Sequence, residues 1–324
     1  MTRILLVGDI HLCDRPPSLR KPGYSDQILD KLVYTSQIAR DEKVDAVVWA
    51  GDIFHVKSPS RTSHALVQRV IDVGNSYPCP WFVVPGNHDI THDRLESLEN
   101  QPLGVLFKAG AQALIGSHDG LGMFGLPWLQ TWDHLERWMQ AWQEADKTHL
   151  MVTHAPIFPP GQSVPYDFID AMDWAKLMDR PGEVYYGHIH DPHGTYEVTY
   201  QKKDGDLVTS EFCNQGALSR GSLHESTLKR KPAVTVYDST IRHPQFQRIE
   251  VPHYPVEEVF ALEARREAEQ QQARLSDFLA SVGTTELQQF DVATVLAHID
   301  TLELKPRTRQ QIEECLEVAV DAGP

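Results

Sequence analysis

One arrangement occurs five times in the sequence: a short apolar run followed at once by residues that can bind metal ions. The runs end at Gly8-Asp9-Ile10-His11, Gly51-Asp52-Ile53-Phe54-His55, Pro85-Gly86-Asn87-His88-Asp89, Thr153-His154 and Gly187-His188-Ile189-His190. Carboxylate and imidazole ligands without thiolates suit Mn²⁺, Fe²⁺ or Zn²⁺ better than Mg²⁺ or Ca²⁺. Two metal ions about 3.5–4 Å apart can hold the attacking and leaving oxygens of a phosphoryl displacement. The pattern therefore predicts metal-dependent hydrolysis of a phosphate ester. The candidate ligands are sufficient in number to bind two metal ions: Asp9, His11, Asp52, Asn87, His154, His188 and His190.

These residues must be brought together by the elements that precede them. The apolar runs are rich in Val, Ile, Leu and aromatic residues, and they predict buried strands at 3–7, 44–50, 81–84, 149–152 and 183–186. Apolar periodicity predicts helices over 26–40, 62–73 and 131–145. This alternation predicts a largely parallel layer with helices outside. Ligands bind at the carboxyl ends of such strands, and all five polar turns fall there. Asp52 is the best candidate to bridge two metal ions.

The pattern changes after His190. Strands are predicted at 195–201, 207–212, 233–237 and 246–251, with a hairpin turn at 202–206. They predict a second sheet packed on the first, so the expected fold is α/β, a two-sheet β-sandwich flanked by helices. From Val256 onward strand patterns cease, and capping-box patterns begin at Thr285 and Thr308. We expect residues 1–255 to form the main domain and residues 256–324 a small helical C-terminal appendage.

Composition excludes several classes of protein. The 324 residues carry a net charge of −15, which argues against a simple cationic nucleic-acid binder or a membrane-surface protein. The four cysteines lie far apart without a CxxC pair, so a cysteine zinc site and a disulfide framework are not expected. No apolar run approaches the ~18 residues of a membrane helix, and Asp9 comes too early for a signal peptide. We expect a cytoplasmic protein that does not contact membranes.

The motifs carry a family resemblance. In order along residues 3–250, Asp9-x-His11, Gly51-Asp52…His55, Gly86-Asn87-His88-Asp89, His154 and Gly187-His188-x-His190 resemble the motif set of calcineurin-like metallophosphoesterases. The resemblance implies that family's fold and a metal-bridging hydroxide that attacks phosphorus in line. It implies one metal site made by Asp9, His11, Asp52 and His190, and another made by Asp52, Asn87, His154 and His188. His88 matches the histidine that stabilises the transition state and assists the leaving oxygen, with Asp89 orienting it.

A finer resemblance concerns the second motif. The GD-x-F-H-x-x-x-P-S stretch at 51–60 is similar to the nuclease subunit of the double-strand-break repair complex, the bacterial SbcD-type exonuclease and its phage counterparts. In that group the additional histidine, here His55, acts on the phosphodiester beside the metals. The segment 216–221 resembles the loop that follows the histidine pair there. Protein Ser/Thr phosphatases instead carry Asp-Arg-Gly after the second motif and end the third in Glu, where this chain has Asp89.

This resemblance implies a DNA exonuclease/endonuclease of repair or recombination with two divalent ions, Mn²⁺ being expected. It also implies a homodimer and an SMC-like ABC ATPase partner (SbcC-type), bound by helical segments after the core. The amphipathic patterns at 256–262 and 312–320 are the candidate segments. The acidic total does not exclude a DNA substrate, because several acids would lie beside divalent cations.

Two other functions stay open. The same centre could serve a small-molecule phosphodiesterase or phosphatase, acting for example on cyclic nucleotides, and the fold could also be a scaffold that has lost its metals. Other features have plainer interpretations: His193 as a surface or supporting residue, and Lys229-Arg230-Lys231 as a solvated charge run rather than a phosphate contact. The tryptophans at 128, 132, 138 and 142 are interpreted as a buried or dimer-facing stripe rather than a base-stacking platform.

Overall fold

The structure, a computed structural model, describes most of the chain up to residue 276. The described residues are 2–276 except 18, 57–58, 93, 130–134, 203, 222–224, 242–244, 264–265, 268–269 and 275, together with residue 309. Contacts divide the chain into two compact units, Met1–Ala261 and Leu262–Pro324. The predicted capping boxes and the candidate partner segment 312–320 lie outside the described residues. Within the part that is described, no helix is long and apolar enough to cross a membrane.

The strands of the first unit form two six-stranded sheets and one two-stranded sheet among the described residues. In chain order they are β1 (Arg3–Val7), β2 (Ala46–Trp49), β3 (Trp81–Val83), β4 (Gln112–Ala113), β5 (Gly116–His118), β6 (Met123–Leu126), β7 (Leu150–Thr153), β8 (Ile157–Phe158), β9 (Ile169–Asp170), β10 (Glu183–Tyr186), β11 (Gly194–Gln201), β12 (Leu207–Asn214), β13 (Ala233–Asp238) and β14 (Phe246–Glu250). The helices are α1 (Tyr24–Asp41), α2 (His64–Asn75), α3 (Pro102–Lys108), α4 (Leu135–Glu144), α5 (Ala171–Met178), α6 (Glu225–Lys229) and α7 (Val256–Val259).

Both large sheets are parallel at the centre and antiparallel at one or both edges. The first has the order β14-β13-β1-β2-β3-β4, in which β1 to β4 are parallel and β13 and β14 are antiparallel additions. The second has the order β11-β12-β10-β7-β6-β5, with antiparallel outer strands β11 and β5. The short strands β8 and β9 form a separate parallel pair. The hairpin predicted around 202–206 is confirmed by the pairing of β11 with β12.

A common apolar core joins the two large sheets. Ile4 and Leu6 of β1 point to the same face, because alternate strand residues share a side. They pack in one buried cluster with Leu150 and Val152 of β7 and with Tyr185 of β10. Burying each such side chain stabilises the fold by about 1.5–3 kcal/mol. The sheets therefore face one another across this core.

The helices cover the outer faces, which completes the expected architecture. Trp142 of α4 and Trp174 of α5 are fully buried in a cluster that includes Phe212 of β12 and Val184 of β10. The predicted helices at 26–40 and 62–73 are confirmed as α1 and α2, and Ser63 caps α2 by accepting a bond from the Leu66 amide at 3.1 Å. The two-sheet β-sandwich flanked by helices is thus confirmed.

The assignment of strands to sheets was wrong. The strands before His154 and His188 were expected in one layer with β1 to β3, but β7 and β10 lie in the second sheet. The strands predicted at 233–237 and 246–251 instead extend the first sheet, where β13 pairs with β1. Strands buried on both faces read as continuous apolar runs whichever sheet holds them, so the sequence pattern did not distinguish the two.

The first unit extends beyond the boundary expected at residue 255, because the division falls after Ala261. Val259 and Phe260 are 4% and 1% exposed. The backbone there pairs with the segment after β1, as the Lys21 amide bonds the Val259 carbonyl at 3.0 Å. The guanidinium of Arg20 also lies 4.6 Å from the Phe260 ring centre. Val259 and Phe260, two apolar residues of the candidate partner segment 256–262, are therefore part of the core.

Candidate metal centre

The candidate ligands follow the carboxyl ends of parallel strands from both sheets. Asp9 and His11 follow β1, Asp52 follows β2, Asn87 follows β3, His154 follows β7, and His188 and His190 follow β10. Three of these turns are sharp, since His11, Asp52 and His188 have φ angles of 53°, 52° and 74°. Such backbone conformations cost about 1–3 kcal/mol each in residues other than glycine. They persist where the surrounding contacts fix them, as they do here.

The first group of ligand atoms surrounds His11. Its Nε2 lies 2.8 Å from His190 Nε2 and 3.5 Å from Asp52 Oδ2. Ligand atoms of Asp9, His11 and Asp52 all lie within 4.8 Å of one another. The buried Oδ2 atom of Asp9 has no hydrogen-bond partner among the described residues. Buried carboxylates need a compensating partner, and a cation held by these four residues would supply it.

The second group surrounds Asn87. Its Oδ1 lies 3.0 Å from both His154 Nε2 and His188 Nδ1. Nδ1 of His154 donates to the Ala50 carbonyl at 2.7 Å, so Nε2 carries the lone pair in the neutral ring. The same Nε2 lies 3.4 Å from Asp52 Oδ2, the atom that also faces His11. Asp52 therefore stands between the two groups, where a bridging carboxylate would be needed.

The charge states agree with a cation site. Burial lowers the pKa of His11 well below its ordinary value and that of His188 to about 3. Both rings are therefore neutral at pH 7, the form in which imidazole binds metals. Burial opposes a charge on His154, but the carboxylates of Asp52 and Asp9 raise its pKa to about 9. The carboxylates thus stabilise positive charge here, and the donor set fits two divalent ions of the Mn²⁺, Fe²⁺ or Zn²⁺ type.

Two further histidines stand beside the ligand groups. His88 and His55 have ring nitrogens within 4.8 Å of a His11 nitrogen. Their rings are stacked with centroids 5.7 Å apart and planes inclined by 17°. Nδ1 of His88 donates to the His55 carbonyl at 2.7 Å, so its Nε2 is left to act on a substrate. The amide of His88 also donates to Asp52 Oδ1 at 2.7 Å, which ties this turn to the central carboxylate.

The role expected for Asp89 needs correction. It was expected to orient His88, but the carbonyl of His55 holds that ring. Asp89 is 3% exposed, and its carboxylate accepts bonds from three backbone amides: Asp52 at 2.8 Å, Gly86 at 2.9 Å and Ile53 at 3.0 Å. It therefore braces the second and third turns against each other. No sequence pattern indicates this role, because the partners are backbone groups.

The sequence interpretation missed Trp128. Its ring centroid lies 4.7 Å from that of His188, with an interplanar angle of 31°, and 6.2 Å from that of His154. Its amide donates to the Pro85 carbonyl at 2.9 Å, which anchors it to the third turn. One available signal was its position: Trp128 follows β6 by two residues, as the ligands follow their strands. The weaker candidate His193 bonds the Tyr186 hydroxyl at 2.7 Å and packs on Phe158 instead of joining the ligand groups.

The fold and these ligand groups define a metallophosphoesterase. A family model described as calcineurin-like phosphoesterase matches residues 2–192, and the chain belongs to this family of metal-dependent hydrolases. Over 202 residues the chain is 27% identical to the DNA double-strand break repair protein Mre11 of Saccharolobus solfataricus. That alignment covers 59% of this chain and 50% of the relative, so the chain spans about half of the relative's length.

Two solved structures are also similar. TT1561 of Thermus thermophilus matches with a TM-score of 0.45 and 13% identity, over 77% of this chain and 98% of that one. A dimetal phosphatase from Danio rerio matches with a TM-score of 0.45 and 14% identity, over 78% of this chain and 98% of that one.

Proposed function

We propose that the protein is a metal-dependent DNA nuclease, an SbcD-like exonuclease/endonuclease of DNA repair or recombination. The observation that carries this proposal is the place of His55 beside the ligand groups, with its ring 5.5 Å from that of His11 and stacked on His88. This is the additional histidine that the resemblance assigns to the phosphodiester in nucleases. The similarity to a DNA double-strand break repair protein supports the same substrate class.

The roles in hydrolysis follow from the contacts. Two divalent ions, for which Mn²⁺ is our choice, would polarise the phosphodiester and lower the pKa of a water molecule toward neutrality. Asp9, His11, Asp52 and His190 would hold one ion, and Asp52, Asn87, His154 and His188 the other. His88, fixed through Nδ1, presents Nε2 to the leaving oxygen as a hydrogen-bond or proton donor. His55 lies parallel to it and contacts the adjoining part of the phosphodiester.

The alternative is a small-molecule phosphodiesterase or phosphatase, for example one that acts on cyclic nucleotides. The aromatic cluster formed by His193 with Phe158 favours it. His193 lies 4.8 Å from Phe158, whose ring also meets Phe168 at 5.4 Å and Tyr166 at 5.9 Å. Such a cluster could pack against a single planar base. An ATPase partner and a homodimer are further parts of the nuclease proposal, and they need their own binding experiments.

The two substrate classes can be separated with wild-type protein and two variants. Linear duplex DNA, single-stranded DNA, a cyclic nucleotide, an aryl phosphodiester and an aryl phosphomonoester are assayed with Mn²⁺. His55→Ala is the test variant. His149→Ala is the control, because that exposed histidine immediately precedes β7, at the amino end opposite the ligands.

The proposal expects hydrolysis of DNA by the wild type. His55→Ala should slow it by about 10²-fold, a usual contribution of one acid–base group, and His149→Ala should leave it unchanged. Mn²⁺ binding should survive both substitutions. Hydrolysis of the cyclic nucleotide or the monoester without any cleavage of DNA would establish the alternative. Failure to cleave DNA with Mn²⁺, Fe²⁺, Zn²⁺ or Mg²⁺, alone and with an ATPase partner, would refute the nuclease proposal.

A further inference from the structure

The loop Gly216–Gly221, which follows β12, is in direct contact with two candidate ligand turns. Its Ala217 amide donates to the His190 carbonyl at 3.0 Å, and its Leu218 amide donates to the Asp9 carbonyl at 2.8 Å. Gly216 has a φ of 72°, and a Cβ there would lie 2.4 Å from the His190 carbonyl oxygen. Ala217, Leu218 and Ser219 are all 0% exposed. The loop is therefore a buried backbone brace between the turns after β1 and β10.

The carbonyl groups of the same loop are bound by cations. Lys31 Nζ of α1 donates to Leu218 O at 3.0 Å. Arg230 donates to the carbonyls on either side, those of Ala217 and Ser219. Arg20 donates to the next two, Arg220 O at 3.3 Å and Gly221 O at 2.7 Å. Five consecutive carbonyls thus accept bonds from three positively charged side chains. Hydrogen bonds in series polarise one another. Arg230 on the Ala217 carbonyl and Lys31 on the Leu218 carbonyl therefore strengthen the bonds that the next amides, those of Leu218 and Ser219, donate to the Asp9 carbonyl.

Burying these cations is unfavourable in itself. Lys31 is 5% exposed and Arg230 is 7% exposed, although Arg230 was expected in a solvated charge run. Burial, together with the nearby Arg220 and Arg230, lowers the pKa of Lys31 to about 7. Lysine is almost never fully buried without a partner of opposite charge. Carbonyl groups are its hydrogen-bond partners in this loop, so stability of the fold alone does not account for its placement.

We propose that Lys31 and Arg230 are positioning residues of the candidate metal centre. They hold the Ala217–Ser219 backbone, whose amides fix the Asp9 and His190 turns. Neither residue contacts substrate in this role. The inference rests on the proposed metal-dependent function, because it concerns the geometry of ligands to the expected ions. Residues that orient metal ligands in this indirect way typically contribute about 10–100-fold to metal affinity.

The chain offers a matched control in Arg180. This arginine also binds several backbone carbonyls, Trp142 O at 2.8 Å and both Ala145 O and Thr148 O at 3.1 Å. Those carbonyls precede β7, at the amino end of the strand rather than the ligand end. Arg180→Met therefore removes the same kind of interaction without touching the centre. Lys31→Met and Arg230→Met are the test variants, and Arg230→Lys is the conservative one.

The experiment is a calorimetric titration of the full-length, metal-free proteins with Mn²⁺, with thermal unfolding of the same samples. Lys31→Met and Arg230→Met should weaken Mn²⁺ binding by about 10–100-fold, and Arg230→Lys should recover part of the loss. Lys31→Met should not lower the unfolding temperature, since it removes a buried charge. Arg180→Met should lower the unfolding temperature and leave Mn²⁺ affinity unchanged.

Two results would overturn the inference: wild-type Mn²⁺ affinity in Lys31→Met, or an equal loss of affinity in Arg180→Met. If Arg230→Met does not fold, Lys31→Met and Arg230→Lys decide the matter. Failure of the wild type itself to bind Mn²⁺ would instead refute the proposed function, so the two failures are distinguishable.

Discussion

Replacement of Lys31 by methionine makes a quantitative prediction about stability and pH. The ammonium group lies in the interior and donates to the Leu218 carbonyl at 3.0 Å. Its pKa is lowered to about 7 in the fold, from 10.5, mainly by burial. The unfolded chain therefore binds more protons than the folded chain between pH 7 and 10.5. The free energy of unfolding of the wild type should therefore rise with pH in that window as far as Lys31 determines it.

The magnitude follows from the difference in pKa. Each pH unit corresponds to about 1.4 kcal/mol, so the lowered pKa of Lys31 destabilises the fold by about 4 kcal/mol at pH 7 and about 2 kcal/mol at pH 9. Methionine removes this penalty but also removes the hydrogen bond of the neutral amine, worth about 0.5–1.5 kcal/mol. Lys31→Met should therefore be more stable than the wild type by about 3 kcal/mol at pH 7. At pH 9 the difference should fall to about 1 kcal/mol.

The assay is urea unfolding of both proteins, metal-free, at pH 7, 8 and 9. Other titrating groups are common to the two chains, so the difference in the free energy of unfolding isolates Lys31. A difference that stays constant from pH 7 to 9, or that grows in favour of the variant, would refute the reasoning. A variant much less stable than the wild type at pH 7 would do the same.

Two predictions concern supports of the ligand turns. Asp89→Asn should weaken Mn²⁺ binding by about 10-fold, because one of the backbone amides of Asp52, Gly86 and Ile53 loses its acceptor. Slower turnover with wild-type metal affinity would contradict this and would indicate that Asp89 orients His88 instead. Trp128→Leu should weaken binding of one of two Mn²⁺ ions by about 10-fold, since His188 loses the aromatic ring that packs against it, while Trp128→Phe should retain most of the affinity. Calorimetric titration measures both, and equal affinities for Leu and Phe at position 128 would contradict the second prediction.

The residues that gather at the centre could be predicted because each follows a strand. Parallel strands present their carboxyl ends at one edge of a sheet, and the two facing sheets bring the turns after β1, β2 and β3 together with those after β7 and β10. The ligand turns therefore meet even though β7 and β10 had been assigned to the wrong sheet. The structure brings them together with His11, His190, His55 and His88. Local sequence was sufficient here, because the ligand type and the strand end are both local properties.

Other features depend on long-range contacts that no local pattern reveals. β7 and β10 read like β1 and β2, yet they belong to the other sheet. Trp128 has no ligand atom for Mn²⁺ and was grouped with tryptophans of a helix. Arg230 stands in a run of basic residues, yet its side chain turns inward to carbonyl groups. Asp89 binds backbone amides, which every residue except proline possesses, so its partners leave no trace in the sequence.

We propose that this chain holds two metal ions bridged by Asp52. The most direct measurement is a titration of the metal-free protein with Mn²⁺, followed by electron paramagnetic resonance. We expect two bound ions per chain with the spectrum of a coupled pair. Asp52→Asn should lose the coupling, because Asp52 Oδ2 lies 3.5 Å from His11 Nε2 and 3.4 Å from His154 Nε2 and so stands between the two ligand groups. One uncoupled ion per wild-type chain, or a coupled pair that persists in Asp52→Asn, would contradict it.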